Sequence, residues 1–323
     1  MAKDEKANDT LHLATHSGWY RFERRGEDWV QADRALTFWQ MSCIQVDPDD
    51  PKKVYIGTEH SGMFVTRDGG KEWTRANPNV PCLTMSSMLA LSGKLLVGTM
   101  PAALYSTSEG GGWQELKGVR EGASGGTFPP NPDFAPRTRV LTAEKKPVGR
   151  LYAGIEVGGI LVSDDDGRSW TSVNEGLTDP DIHQILPCQA QEGLVVAACG
   201  EGVSRSTDRG SHWEKVTPPG GRTYGNALAE DDKGNIYMGI TRDRPRTWTR
   251  AGRANSAIFK SNDGANWELL TEKMTGGVMD ICPAANGVLV ATADGEVVAL
   301  TSSGDTRTII SGLPCITAMA LGA

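Results

Sequence analysis

The chain has 323 residues, with 39 glycines, six cysteines, 38% apolar residues and a net charge of −7. It contains no run of about 18 apolar residues, so no helical membrane span is expected, and the acidic balance argues against bulk nucleic-acid binding. The first ten residues, MAKDEKANDT, are polar and lack the apolar segment of a secretory signal; they read as a disordered tail on a cytoplasmic protein with free thiols.

In chain order, one short pattern recurs: Ser or Thr, then Asp two residues on, Gly two further, Trp three beyond. Gly26 and Trp29 keep only its end. Thr66, Asp68, Gly70 and Trp73 match it with Thr for Ser. Ser106, Gly110 and Trp113 keep the frame, with Ser108 in the Asp position. Two sets match throughout: Ser163, Asp165, Gly167 and Trp170, and then Ser206, Asp208, Gly210 and Trp213. Ser261, Asp263 and Trp267 carry it with one residue deleted, and Ser302 to Asp305 is a remnant without its Trp. The residue types suit a hairpin clasp. Gly tolerates the positive φ of a tight turn, Asp and Ser bond to the backbone of their own turn, and Trp covers it with apolar surface.

The Trp positions 29, 73, 113, 170, 213 and 267 are spaced by 44, 40, 57, 43 and 54 residues. A period in the low forties is that of one four-stranded propeller blade. A second repeat precedes each clasp: VYIG at 54–57, LLVG at 95–98, LYAG at 151–154, IYMG at 236–239 and VLVA at 288–291. The first unit, from Leu11, lacks an inner strand, and Pro314 to Leu321 at the other end resembles one. The expected fold is all-β: a seven-bladed β-propeller of four-stranded antiparallel blades over residues 11–323, closed by the C-terminal strand joining the N-terminal blade.

These motifs resemble the Asp-box, or bacterial neuraminidase repeat, of sialidases, sortilin-type receptors and related propellers. Four further segments resemble glycosyl-hydrolase-like Asp-box proteins of bacteria: Pro136–Val140, Ile155–Gly159, Asp181–His183 and Gly221–Tyr224. That resemblance implies a carbohydrate substrate. It does not extend to sialidase activity, because the chain has no Arg-Ile-Pro near its N-terminus and seven blades where sialidases have six.

With the clasps marking the bottom face, the loops between second and third strands, and those between blades, lie on top. His16 and His60 occupy equivalent top loops of blades one and two, and Glu59 and Glu156 equivalent slots of blades two and four. His183 and Tyr224 stand at the entrances of two inner strands. Two long excursions fall on the same face. Gly118 to Arg139 is rich in Gly and Pro and reads as irregular. Thr241 to Ser256 carries five Arg, among them Arg246 and Arg250, and Trp248. With Arg137, Arg139 and Arg222, eight Arg gather on the top of an acidic protein, which suits an anionic ligand.

Two functions follow. In the first, an enzyme of hydrolase or lyase type processes a small anionic molecule or glycan in the top funnel. Glu156, His183 and Tyr224 handle protons, while Arg139, Arg222, His16, His60, Glu59, Arg246 and Arg250 hold the ligand. In the second, the same Arg-rich face docks a protein partner without catalysis. A divalent metal at His16, His60 and His183 is a further expectation. Trp248 among arginines offers a platform for a nucleic-acid base, though no recognised nucleic-acid module accompanies it. Cys43, Cys82, Cys188, Cys282 and Cys315 read as small buried side chains of the inner strands.

Overall fold

The short apolar runs form the second strands of seven antiparallel sheets, each of four strands. The computed structural model describes residues 9–77, 83–108, 111–124, 135–145, 149–177, 179–242, 244–245, 248–249 and 254–322. Six blades run in chain order from inner to outer strand. Blade one takes its inner strand, Ile316–Gly322, from the other end of the chain, paired along Thr10–Thr15 with Leu13 opposite Met319. The ring closes as the sequence leads one to expect. Thr10 is already paired, and the Asp9 carbonyl accepts the Arg24 N–H at 2.8 Å. The strand therefore begins inside the stretch read as a tail, whose residues 1–8 lie outside the described residues.

Each apolar run ends in a small residue because the next blade's inner strand comes in there. A Cβ on Gly239 would lie 2.4 Å from Val278 Cγ1, and one on Gly154 would lie 2.7 Å from Ile182 Cγ2. The apolar side chains on either side fill the seam between blades. Val196 and Val203 of blade five, for example, pack with Met238 and Phe259 of blade six, the burial that drives such packing.

The clasps are hydrogen-bonded as their composition implies. In blade four, Ser163 Oγ donates to Asp165 Oδ1 and accepts the Gly167 N–H, both at 2.8 Å. Asp165 accepts the Ser169 N–H at 2.8 Å, and the Trp170 indole donates to the Gly167 carbonyl at 3.1 Å. Gly167 has φ +86°, which a side chain would strain. In blade seven the register differs from the sequence reading. Thr301, not Ser302, takes the Ser role and accepts the Asp305 N–H at 3.0 Å. Ser303 stands for Asp and Asp305 for Gly.

The first long excursion departs from expectation. Gly118–Ser124 forms a short helix, seated because Val119 is buried against Leu116, Leu104 and Leu161. Residues 125–134 lie outside the described residues. Arg137–Ala143 then forms the inner strand of blade four, so Arg137 and Arg139 belong to the channel wall rather than to a loop.

All seven inner strands carry a pairing irregularity at the same height. One residue is skipped in each: Thr317, Ser42, Ser86, Arg139, His183, Asn226 and Met279. Such bulges turn a side chain away from the alternation of its strand, and together they ring the top of the channel.

Replacing Ser163 with Ala leaves the buried Gly167 N–H without its acceptor. The expected loss is about 1–3 kcal/mol of unfolding free energy, read by urea denaturation. An unchanged midpoint would mean the clasp contributes nothing.

Candidate functional site

The bulge ring opens into a cavity of about 380 Å³ at the channel mouth. All seven blades contribute to its lining, which includes His16, Glu59, Arg137, Arg139, His183, Asn226 and Asp280. The volume is in the range of small-ligand pockets.

Charge is organised around Glu156. Its carboxylate, one-tenth exposed, takes Arg137 Nε and, at 3.1 Å, Arg139 Nη1 on the same oxygen. Burial alone would raise the Glu156 pKa; the guanidiniums of Arg139 and Arg137 overrule it and hold the carboxyl below its ordinary value. Glu156 is thus a fixed anion that orients two cations, and it has no proton to give near neutral pH. Arg139 sends Nη2 to Asn226 Oδ1 at 2.9 Å, linking blades four and six past blade five. Arg137 uses only Nε, so among the described residues its two terminal nitrogens have no protein acceptor. Despite burial, pairing with Glu156 raises its pKa.

Tyr224 and His183 meet with ring centroids 4.5 Å apart. Burial is the main cause that pushes the Tyr224 phenol up to about 12, so near neutral pH it is a donor. The His183 side chain is fully buried, its Nδ1 2.6 Å from the Gly225 carbonyl. His16 and Glu59 share the cavity wall. Burial lowers the His16 pKa and so favours a neutral imidazole, an effect the Glu59 charge partly counters.

Glu156 and Tyr224 lie behind the cavity wall rather than in its lining, and the remaining expected residues stand apart. Arg222 is held by the Asn255 carbonyl at 2.6 Å and by Glu272 at 2.7 Å, and it does not line the cavity. His60 is exposed and also off the cavity wall. Among the described residues, no three His, Cys, Asp or Glu side chains are grouped to enclose a metal ion as they stand; the three-histidine set of His16, His60 and His183 does not assemble. Arg246 and Arg250 lie outside the described residues. Trp248 is buried edge-on against Tyr224, 5.6 Å between centroids, so it offers no open platform for a nucleic-acid base. Cys43 and Cys188 are buried as expected, whereas Cys282 and Cys315 are only half-buried, and Cys188 and Cys315 lie just outside their inner strands; Cys82 lies outside the described residues.

Sequence reasoning missed Asp280 and Asn226. Both interrupt apolar inner strands, and that break in alternation was the available signal. Asp280 accepts N–H bonds from Met319 at 2.8 Å and Ile281 at 2.9 Å. Burial in the channel wall nonetheless raises its pKa to about 6. The folded protein therefore binds a proton that the unfolded chain has lost between about pH 4 and 6. This carboxyl's contribution to stability is present below about pH 4 and is lost as pH rises through about 6. Between pH 7 and pH 4 the wild type should gain on the order of 2 kcal/mol relative to Asp280→Asn, measured by chemical denaturation across that range. Parallel profiles would show that the carboxyl titrates normally.

No family model matches the chain. It is 24% identical over 297 residues to a probable oligoxyloglucan-reducing end-specific xyloglucanase of Neosartorya fischeri, covering 71% of this chain and 36% of that protein. It is 23% identical over 252 residues to an oligoxyloglucan-reducing end-specific xyloglucanase of Emericella nidulans, covering 69% and 30%. The chain thus spans about a third of the length of these relatives. Among solved structures it is similar to the GH74 xyloglucanase from Xanthomonas campestris, with TM-score 0.65, 18% identity and coverage of 91% of this chain and 50% of that one. It is also similar to YCF48 bound to D1 peptide, with TM-score 0.62, 16% identity and coverage of 90% and 93%. At these identities the likeness shows the propeller fold.

Proposed function

We propose that the protein binds a small anionic ligand, of the size of one or two sugar rings, at the channel mouth, and that it acts there as a glycan-processing hydrolase. The observation that carries the binding reading is the Arg137 guanidinium: locked by Glu156 and facing a polar cavity with two terminal nitrogens unspent. A guanidinium presented this way suits a carboxylate or phosphate. Arg139 adds charge while bracing the mouth through Asn226. His16 beside Glu59 is a neutral base candidate in the cavity wall, and Tyr224, a proton donor by its state, lies behind that wall against the His183 ring. The distant likeness to xyloglucanases supports the glycan and hydrolase part of the reading.

A second reading, a scaffold that docks a peptide on the same face, is favoured by two observations. The YCF48 structure with a D1 peptide matches over nearly the whole of both chains. Phe38, on the top loop between blades one and two, is 94% exposed, as an unpartnered docking side chain would be.

Calorimetry with glucuronate, glucose 6-phosphate and glucose distinguishes these readings. The small-ligand reading expects the two anions to bind and glucose not to, with Arg137→Gln weakening the anions by tenfold or more, about 1.5–3 kcal/mol for a charged hydrogen bond. Phe38→Ala should leave them unaffected. Equal affinity for glucose, or an indifferent Arg137→Gln variant, would sink it. Hydrolysis of chromogenic uronides, lost in His16→Ala with anion affinity kept, would support the catalytic part; no turnover on any anionic glycoside would remove it.

A further inference from the structure

The loop entering the inner strand of blade five reads Asp179-Pro180-Asp181-Ile182-His183. Three of its polar atoms are buried and have no hydrogen-bond partner among the described residues: Asp179 Oδ2, Asp181 Oδ1 and His183 Nε2. Orphaned buried polar atoms are costly, and a cluster of them calls for a ligand. We propose that this loop holds a divalent transition-metal cation, with His183 Nε2 and Asp181 Oδ1 as adjacent ligands and Asp179 acting through a metal-bound water.

The tautomer and the spacing support this. His183 Nδ1 lies 2.6 Å from the Gly225 carbonyl, which can only accept, so Nδ1 carries the proton. In the neutral ring Nε2 then presents a lone pair, 3.2 Å from Asp181 Oδ1. With that tautomer a lone pair faces a carboxylate oxygen, a repulsive contact unless a cation joins the two atoms. Two neighbouring ligands about 2.1 Å from one cation, about 100° apart, are separated by about 3.2 Å. An Nδ1–H donated to a backbone carbonyl is also the usual support of a metal-bound histidine.

Asp179 lies on the other side of Asp181. Oδ2 of Asp181 and Oδ2 of Asp179 lie 2.8 and 2.9 Å from the point where Gly200 would carry a Cβ. The two carboxylates therefore converge on the space beside Gly200. One imidazole with carboxylates suits Mn²⁺ or Zn²⁺ better than Ca²⁺ or Mg²⁺.

The test needs no substrate, so it stands apart from the anion reading. Full-length protein is stripped with EDTA, dialysed and titrated with Mn²⁺ by electron paramagnetic resonance and with Zn²⁺ by thermal shift. One saturable site per chain is expected, with a rise in melting temperature. Asp181→Asn and His183→Gln should abolish it, and Asp179→Asn should weaken it by about tenfold. His60→Ala should bind as the wild type does, and circular dichroism checks that the variants fold. No saturable binding of either ion up to about 1 mM would overturn the proposal. So would binding that survives both Asp181→Asn and His183→Gln. A titration in which Mn²⁺ changes nothing while the His183 ring shows both nitrogens protonated by NMR would assign the 3.2 Å contact to an ion pair, and would overturn it equally.

Discussion

The fold rests on a close approach repeated around the ring. The inner strand of one blade lies so near the second strand of the blade before it that a methyl group does not fit at Gly57, Gly98, Gly154 or Gly239. Packing this tight leaves little freedom to slide. It sets the inner strands at a common height, and so brings their seven bulges level. The site is a consequence of that alignment. Residues as distant in sequence as Ser42, Arg139, His183 and Thr317 share one cavity because each is the skipped residue of its strand.

On that frame, the chemistry of the mouth is set by one buried anion. Glu156 takes two guanidiniums on a single oxygen, which keeps it ionised and keeps both arginines aimed at the channel. Arg139 goes on to Asn226, and so joins two blades across a third. A ligand arriving at Arg137 meets a donor whose orientation is already fixed, the condition under which a charged hydrogen bond contributes most. The same network explains why Glu156 is an unsuitable proton donor despite its place in the site.

The blade count, the ring closure and the bottom clasps were legible in the sequence because each depends on local, repeated chemistry: Gly for a positive φ, Asp for turn amides, Trp as a lid. The top face was legible only in outline. Arg139 and His183 line the cavity; Glu156 and Tyr224 lie behind them, Glu156 bonded to Arg139 and Tyr224 against the His183 ring. Arg222 and Trp248 do not join the cavity lining; their destinations depend on partners far along the chain, the Glu272 carboxylate and the Tyr224 ring. The helix at Gly118–Ser124 was hidden because Val119, the one anchoring side chain among the described residues there, sits beside Gly118, Arg120 and Glu121. The bulge ring was hidden for a different reason. One skipped residue per strand leaves no composition signal beyond a polar residue in an apolar run.

Anomalous diffraction tests the claim that the channel mouth is a built anion site most directly. Crystals grown with bromide or selenate should show an anomalous peak in contact with the terminal nitrogens of Arg137, inside the bulge ring. Peaks confined to exposed surface arginines, with the mouth empty at saturating anion, would contradict the account.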